Sequence, residues 1–245
     1  MNLSSLSVVV PAHNEAHRLG ASLARLLEWL PAHVQSFEIV VVDDGSTDGT
    51  ADVARAAADP RVRLVVRDQR GGKGAAVRSG IETARLEWTL VVDADLSIPI
   101  EELARLEPRA ADHQIVIGSK WSEGAETSYP PLRRLLSLLS RWVVAVFVVP
   151  GFKDTQCGFK LFRTDVARSL FACQLLTGYG FDFEILYLAR RFGYAVAEVA
   201  IRCKHTQGGQ VALGSYWRTL LELATVVAHK LRGSYPARPP APGTR

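Results

Sequence analysis

Two aspartates separated by one residue, Asp93 and Asp95, are the side chains in this sequence best suited to bind a metal ion. They follow the apolar run 90–92, which predicts a strand that ends at Asp93. Two carboxylates at a strand end can reach the same hard divalent cation, and such a cation also binds diphosphate oxygens. Aspartates also favour turns, so the pair indicates a metal site only because it follows a predicted strand of an α/β fold. The spacing predicts a Mg²⁺ or Mn²⁺ site.

Three other predicted strands also end in polar residues. Ligands of an open α/β sheet bind beyond the carboxyl ends of its strands, so we expect these segments to line one crevice with the two aspartates. In chain order the segments are Pro11-Ala12-His13-Asn14-Glu15, Asp43-Asp44-Gly45-Ser46-Thr47-Asp48-Gly49-Thr50 and Gln69-Arg70-Gly71-Gly72-Lys73-Gly74.

The aspartates of the second segment have different expected roles. Asp43 ends its strand, so its carboxylate can accept a hydrogen bond from a base N–H or a ribose hydroxyl. Asp44 is interpreted as a turn residue before Gly45, and Asp48 as the N-cap of the following helix. The segment therefore offers one candidate nucleoside ligand and two structural carboxylates.

Glycines open the helix that is predicted after the third strand. Without side chains they let backbone N–H groups approach a phosphate closely. The segment is not a Walker A motif, because no Ser or Thr follows Lys73. Arg70 and Lys73 either supply charge to a phosphate or belong to a solvated basic turn.

The elements that carry these residues alternate between short β-branched runs and amphipathic helical patterns. This alternation predicts an α/β protein with a Rossmann-like, mostly parallel central sheet flanked by helices. The predicted strands are residues 6–10, 38–42, 62–67, 89–92 and 114–118, and the predicted helices are residues 15–30, 48–58 and 73–84.

Beyond residue 118 the pattern changes to longer apolar helices and isolated strands. We expect a long helix at 133–149, a short segment at 158–162, helices at 181–192 and 215–231, and a strand at 195–201. We divide the chain into a first half, residues 1–118, and a second half, residues 119–232. The tail, residues 233–245, contains four prolines and little apolar content, which predicts disorder.

Composition excludes a fibrous or disordered chain, since 48% of the residues are hydrophobic and 22% are charged. The formal charge of +4 suits a phosphate-bearing substrate or an anionic membrane surface, and we expect no nucleic-acid partner. Three cysteines match neither a disulfide framework nor a zinc site, which favours the reducing cytoplasm. The N-terminus lacks a signal-peptide pattern. The apolar stretch 135–149 is too short to span a bilayer, so membrane contact is expected to be peripheral, on the cytoplasmic face.

Taken together, four motifs resemble those of the family 2 inverting glycosyltransferases of the GT-A fold. They are 8–15, 43–50, 72–74 and 93–95, in this order. The segments 154–162 and 181–187 narrow the resemblance to the branch of dolichyl-phosphate β-glucosyltransferases and bacterial polyprenyl-phosphate glycosyltransferases. The resemblance covers roughly residues 5–232.

The resemblance implies transfer of a hexose, most simply glucose from UDP-glucose, to a polyprenyl phosphate of the dolichyl type. Inversion of an α-linked donor would give a β-linked lipid-phosphate sugar. The first half would then bind the nucleotide-sugar donor, and the second half the lipid acceptor at the membrane surface. The implied donor-binding residues are Pro11, Ala12, Asn14, Glu15, Asp43, Arg70, Lys73, Gly74, Asp93, Ala94 and Asp95, with Asp93 and Asp95 also holding Mg²⁺ or Mn²⁺.

On the acceptor side, the resemblance makes Asp154 and Asp182 the candidate catalytic residues. One of Asp182 and Glu184 is expected near the reacting centre and the other on a structural partner. Lys120, Arg133 and Arg134 are the candidate ligands of the acceptor phosphate. The sequence departs from the family where Gly209-Gln210 replaces Ser-Lys, and His205 either substitutes for that lysine or is a polar loop residue.

Several other functions fit parts of the same pattern. Mannose or N-acetylglucosamine could be the sugar, and a molecule without a prenyl chain the acceptor. A nucleotidyltransferase has a similar sheet with metal carboxylates, and a nucleotide-sugar-binding scaffold keeps the fold without turnover. The apolar stripe at 135–147 either belongs to the core or lines a prenyl groove.

Overall fold

The computed structural model describes residues 3–125, 144, 146, 148–203 and 213–240, with side chains of the last segment from residue 221 onward. Seven strands form one sheet in the order β3-β2-β1-β4-β6-β5-β7. All neighbours are parallel except those of β6, which is antiparallel to β4 and β5. The strands are β1 (Ser5–Ala12), β2 (Ser36–Asp44), β3 (Val62–Arg67), β4 (Trp88–Val91), β5 (Ile115–Ser119), β6 (Lys160–Arg163) and β7 (Val196–Ala200).

Helices cover both faces of this sheet, so the central strands are buried on both sides. Val8 and Val10 of β1 pack into one core cluster with α1, while Val9 packs into a second cluster on the opposite face. Such continuous valine-rich strands are typical of parallel sheets between helical layers. The helices are α1 (Ala16–His33), α2 (Thr50–Ala56), α3 (Lys73–Thr83), α4 (Leu103–Leu106), α5 (Thr164–Ala172), α6 (Phe181–Arg191) and α7 (Leu213–Leu231), with 3₁₀ turns before and after α4.

The predicted strands and most predicted helices are confirmed, with small shifts at their ends. The helix α1 continues through Pro31 to His33, where the ring of His33 stacks on that of Trp29 at 3.9 Å. The N-cap of α2 is Gly49, and the Asp48 carboxylate instead accepts the N–H groups of Thr50 and Ala16. Asp48 is therefore structural, as expected, but it joins the first residues of two helices.

The strand β6 was expected only as a short segment. Its pairing places Leu161 opposite Leu90 and Lys160 opposite Val91, two residues before Asp93. The two halves of the chain therefore share one sheet, because a strand from the second half lies between β4 and β5. This insertion brings the segment 154–160 to the edge where the metal carboxylates lie.

The tail contradicts the expected disorder as far as residue 240. Tyr235 is only 3% exposed, its ring lies 5.3 Å from that of Tyr187, and its hydroxyl donates to Glu184. Proline content predicted a loose segment, but one aromatic side chain with a buried hydrogen-bond acceptor is enough to dock it. Residues 241–245, most of the expected helix 133–149 and its apolar stripe lie outside the described residues.

Candidate active site

Asp93 and Asp95, called the metal carboxylates for the role expected of them, lie just beyond β4, and Asp93 lies beside the first turn of α3. Lys73 is the first residue of α3, and its ammonium nitrogen lies 2.5 Å from Oδ1 of Asp93. Burial alone would raise the pKa of Asp93, but the charges of Lys73, Lys120 and Lys160 hold it below its ordinary value. The pKa of Lys73 is raised, because the attraction of Asp93 outweighs burial. Both groups are therefore charged and paired.

Asp93 also contacts the backbone of the segment 154–160. A Cβ added at Gly158 would lie 2.7 Å from Cγ of Asp93 and 2.9 Å from its Oδ1, closer than real Cβ contacts. Only glycine permits this approach. The acceptor-side motif is thus packed directly against the metal carboxylate.

Asp95 faces a different cation, Arg18, which the sequence analysis missed. The Arg18 guanidinium lies 3.7 Å from Oδ2 of Asp95 and donates two hydrogen bonds to Glu15, at 2.8 and 3.0 Å. Glu15, assigned to donor binding, is thereby engaged with Arg18. The sequence feature that could have revealed Arg18 is its position one helical turn after Glu15, at the start of α1.

The loop after β1 is tied to the loop after β2 through Asn14. Its side-chain oxygen accepts the N–H of Thr47, and its own N–H donates to Ser46 Oγ. Asn14 is in the left-handed region at a φ of +57°, which asparagine tolerates better than most residues. Pro11, Ala12 and Asp43 lie buried beneath this junction, and Oδ1 of Asp43 accepts the N–H of Ser46. The structure thus brings together the residues of these two loops that were expected to bind the donor.

The N–H groups of Gly71 and Gly72 bind a carboxylate of the protein, contrary to our expectation of a phosphate. The carboxylate of Asp44 accepts the N–H groups of Gly71 and Gly72 at 2.9 and 2.7 Å, and also Nε of Arg67 at 2.9 Å. A side-chain anion of the protein therefore takes the place predicted for a phosphate.

The same glycines are needed for close packing against the loop between α5 and α6. A Cβ at Gly72 would lie 2.6 Å from the carbonyl oxygen of Thr177, and one at Gly74 would lie 2.7 Å from the side chain of Gln174. Gly74 is buried in this contact, which argues against its expected role in donor binding. Arg70, which directly precedes these glycines, is exposed.

Asp154 and Lys120 lie together, as the resemblance implied for the acceptor side. Oδ2 of Asp154 accepts the backbone N–H of Lys120 at 3.0 Å and lies 3.8 Å from its ammonium nitrogen. Asp154 is 3% exposed, and Glu198 of β7 accepts its backbone N–H. Asp154 is therefore rigidly held, and its position fixes that of Lys120.

Asp182 is paired with Lys160 at a small cavity that Lys73 and Gly158 also line, and this pairing argues against the catalytic role we expected for it. Lys160 and Asp182 are 3% and 4% exposed, and the ammonium also donates to the carbonyl oxygen of Cys157. The pair links α6 to the segment that carries Gly158. Asp182 is thus placed to position the segment rather than to touch a substrate.

Glu184 proves to be the structural member of the two acidic residues of α6. It is fully buried and accepts the N–H groups of Leu175 and Leu176 in addition to the Tyr235 hydroxyl. Burial raises its pKa above the ordinary value. Glu184 therefore fastens the loop that packs on Gly72 and Gly74.

Comparison with known protein families identifies the family of this chain. The model of the family described as glycosyl transferase family 2 matches residues 7–171. The chain belongs to glycosyl transferase family 2.

Curated relatives of this glycosyltransferase cover most of the chain. A dolichyl-phosphate β-glucosyltransferase of Trichomonas vaginalis is 34% identical over 90% of the chain and 70% of the relative. The dolichyl-phosphate β-glucosyltransferases of Dictyostelium discoideum and Homo sapiens are 35% and 33% identical, over 84% and 88% of the chain and 68% and 71% of the relatives. The family and branch suggested by the motifs are confirmed.

Solved structures confirm the predicted fold class. Mannosyl-3-phosphoglycerate synthase from Rubrobacter xylanophilus superimposes with a TM-score of 0.72 at 20% identity, covering 94% of this chain and 74% of that one. A glucosyl-3-phosphoglycerate synthase from Mycobacterium tuberculosis, in complex with UDP, gives a TM-score of 0.70 at 20% identity, covering 92% and 80%. The glycosyltransferase thus has the GT-A fold.

Asp93 and Asp95 fit a divalent metal by the chemistry of their donor atoms. Their side chains are 35% and 21% exposed, so both carboxylates keep accessible oxygens, the ligand atoms that Mg²⁺ and Mn²⁺ prefer. Among the described residues no group of three or more His, Cys, Asp or Glu side chains is gathered for a metal. Two carboxylates leave most coordination positions of Mg²⁺ or Mn²⁺ open to other oxygen ligands.

Several candidate residues of the glycosyltransferase cannot be placed. Arg133, Arg134, His205 and the pair at 209–210 lie outside the described residues. Lys120 is thus the one acceptor-phosphate candidate that the described part of the chain positions.

Proposed function

We propose that this glycosyltransferase transfers glucose from UDP-glucose to a polyprenyl phosphate of the dolichyl type, with inversion to a β-linked product. The observation that carries the proposal is the set of dolichyl-phosphate β-glucosyltransferases at 31–35% identity over most of the chain. The proximity of the Lys120–Asp154 pair to Asp93 supports it, because acceptor and donor groups must meet at one place.

On the donor side, Asp93 and Asp95 would hold Mg²⁺ or Mn²⁺, and the polar loops after β1 and β2 would receive the nucleoside. The bound metal ion supplies positive charge to the diphosphate that departs. Lys73 lies within reach of the same diphosphate and can add a second positive charge. One neighbour by fold was crystallised with Mn²⁺ and UDP-glucose, which makes these two ligands the first probes to use.

On the acceptor side, a phosphate oxygen of the lipid attacks the anomeric carbon as the bond from that carbon to the diphosphate breaks. The second pKa of a phosphate monoester is about 6, so the nucleophile is already mostly dianionic near neutral pH. A strong general base is not required, and the residues mainly position the phosphate. Lys120 supplies the charge that binds the phosphate, and Asp154 fixes Lys120.

We further propose that the protein meets the membrane peripherally, on its cytoplasmic face. The part of the chain that the structure describes contains no helix long and apolar enough to cross a bilayer. Three cations, Arg190, Arg191 and Lys230, line a groove beside Val149, which suits anionic lipid headgroups. The three cysteines are free thiols, in keeping with a reducing compartment. Sedimentation with anionic liposomes that weakens steeply with salt is the expected result; equal sedimentation with neutral liposomes would contradict it.

The decisive experiment is a panel of radiolabelled nucleotide sugars with polyprenyl phosphates and Mn²⁺ or Mg²⁺. We expect label from UDP-glucose in the organic phase. Label from GDP-mannose or UDP-N-acetylglucosamine instead would reassign the sugar. The absence of any organic-phase product, with transfer to a soluble acceptor, would remove the lipid acceptor. Release of pyrophosphate from a sugar phosphate and a nucleoside triphosphate would replace the proposal with a nucleotidyltransferase, and binding without any turnover would leave a scaffold.

A further inference from the structure

Each of the two carboxylates suited to the metal already has a cation of the protein beside it. The ammonium of Lys73 lies 2.5 Å from Oδ1 of Asp93, and the guanidinium of Arg18 lies 3.7 Å from Oδ2 of Asp95. The two cations come from different elements, the first turns of α3 and α1. The fold itself therefore places a cation on each side of the pair, with Lys73 bound directly to Asp93 and Arg18 shared between Glu15 and Asp95.

The position of Lys73 is fixed by contacts that involve no ligand. The Asp44 carboxylate binds the two residues before Lys73 through their N–H groups, and Gly72 and Gly74 are packed against the loop 174–178. On the other side, the segment at Gly158 limits the movement of the Asp93 carboxylate. The ammonium can leave Asp93 only by rotation of its own side chain.

A divalent cation that approaches this pair without other ligands meets two positive charges at close range. It must also displace Lys73 from an oxygen that it needs. A nucleoside diphosphate changes this balance, because its oxygens can accept the ammonium released from Asp93 and complete the coordination of the metal.

We propose that Lys73, assisted by Arg18, is an internal counter-ion of the metal carboxylates, which makes binding of the divalent metal depend on the nucleoside diphosphate. The proposal rests on the donor site of the proposed function and assigns a role to Arg18. Linkage requires the dependence to be mutual, so the metal must tighten nucleotide binding by the same factor.

The two cations contribute unequally. Lys73 contacts its carboxylate directly, whereas Arg18 donates both of its short hydrogen bonds to Glu15 and is farther from Asp95. Removal of Lys73 should therefore change the binding of free metal more than removal of Arg18.

The test measures Mn²⁺ binding to the purified protein from the electron paramagnetic resonance signal of free Mn²⁺, with and without UDP. For the wild type we expect UDP to tighten Mn²⁺ binding by roughly 10-fold or more, within the usual range of coupling between sites. In Lys73→Met, Mn²⁺ should bind about 10-fold more tightly without UDP, and the gain from adding UDP should shrink. Arg18→Met should also tighten Mn²⁺ binding without UDP and reduce the gain from adding UDP, but by smaller factors.

The matched control is Arg55→Met, which removes one positive charge from the surface of α2, where Arg55 pairs with Asp52. It should leave both affinities unchanged, and circular dichroism should show that all variants are folded. If Lys73→Met binds Mn²⁺ no more tightly than the wild type without UDP, the counter-ion role is wrong. That outcome would leave the transfer reaction untouched, whereas failure of every variant to bind Mn²⁺ even with UDP would overturn the metal site as well.

Discussion

Lys160 of β6 and Asp182 of α6 form a salt bridge in which both side chains are almost fully buried. Removal of one partner from such a pair leaves an uncompensated charge and costs about 3–5 kcal/mol. The charge of Lys160 therefore holds Asp182 in place, which is the role of a positioning residue.

We expect Asp182→Asn and Lys160→Met each to lower the free energy of unfolding by about 3–5 kcal/mol. The double variant should lose less than the sum of the two, because neither charge is then left alone. Urea denaturation of the four proteins measures this. The matched control is Asp165→Asn, which removes an acid from an exposed pair with Arg163 and should change stability by less than about 1 kcal/mol.

The transfer rates of the same variants distinguish a positioning role of Asp182 from a catalytic role. If Asp182 positions the segment, the folded double variant should regain part of the transfer rate lost in Asp182→Asn. An additive loss of rate in the double variant, with recovered stability, would show that Asp182 contacts the reacting groups.

Substitution of Gly158 should damage the metal carboxylate specifically. In Gly158→Ala the added Cβ meets Asp93 below 3 Å, so the carboxylate or the segment must shift. Loss of one well-placed electrostatic group typically lowers kcat by about 10²–10³. We expect a loss of that order, measured with the organic-phase assay, together with weaker Mn²⁺ binding in the presence of UDP.

A suitable control for Gly158 is Gly20→Ala, on α1. A Cβ there would meet only a side-chain carbon of Val53 at 3.5 Å, an ordinary contact, and alanine favours a helix. Gly20→Ala should keep full activity. Retention of wild-type activity and metal binding in Gly158→Ala would contradict the proposed contact.

Removal of the Asp44 carboxylate should loosen the first turn of α3. Asp44→Ala leaves the N–H groups of Gly71 and Gly72 and the Arg67 guanidinium without their acceptor. A fully buried N–H group without a partner costs about 1–3 kcal/mol in unfolding free energy, and these partly buried groups should cost less. Because Lys73 follows directly, we expect the KM for UDP-glucose to rise at temperatures where the variant is still folded.

The matched control for Asp44 is Asp52→Ala on α2. Its carboxylate pairs with Arg55 on the surface and is 81% exposed, so its removal should cost less than about 1 kcal/mol and leave KM unchanged. An unaltered KM in folded Asp44→Ala would show that Lys73 does not depend on Asp44.

The buried Glu184 should make stability depend on pH. Its pKa is raised in the folded protein, mainly by burial, so the folded state holds the proton more tightly than the unfolded state. Stability is then lost as the pH rises from the unfolded pKa, about 4.3, through the folded pKa. Because the side chain of Gln cannot ionise, Glu184→Gln should lose less stability than the wild type over the same pH range.

The measurement is the difference in Tm between wild type and Glu184→Gln from pH 4 to pH 7. We expect this difference to move against the wild type as the pH rises. The exposed Glu82→Gln serves as the control and should give a constant difference, since its carboxylate is 59% exposed. A constant difference for Glu184→Gln as well would contradict the raised pKa.

The polar strand ends could be predicted because parallel strands carry their carboxyl ends to one edge, whatever lies between them in the chain. Asp93, Asp95, Asn14 and Asp43 were found in this way. Asp44 was expected to be structural, but its hydrogen bonds to Gly71 and Gly72 were not predicted, and neither was the pairing of Asp182 with Lys160. A carboxylate that binds a ligand and one that binds the protein's own N–H or ammonium look alike in sequence. Arg18 was missed for a related reason, since a surface helix commonly carries such a residue.

The antiparallel β6 and the docked Tyr235 were harder to predict because both depend on contacts between distant parts of the chain. A four-residue strand has too little pattern to reveal its direction or its neighbour. Similarly, four prolines dominate the composition of the tail, although one tyrosine determines where it lies.

The place of β6 also determines the order in which the chain can fold. β4 pairs with β1 on one side and with β6 on the other, and these partners are separated by about 150 residues. During synthesis β4 must wait as an open edge until Arg163 has left the ribosome, and open edges invite aggregation. Residues 1–118 expressed alone would keep that edge permanently, so we expect this fragment to aggregate when it is separated from the second half of the chain.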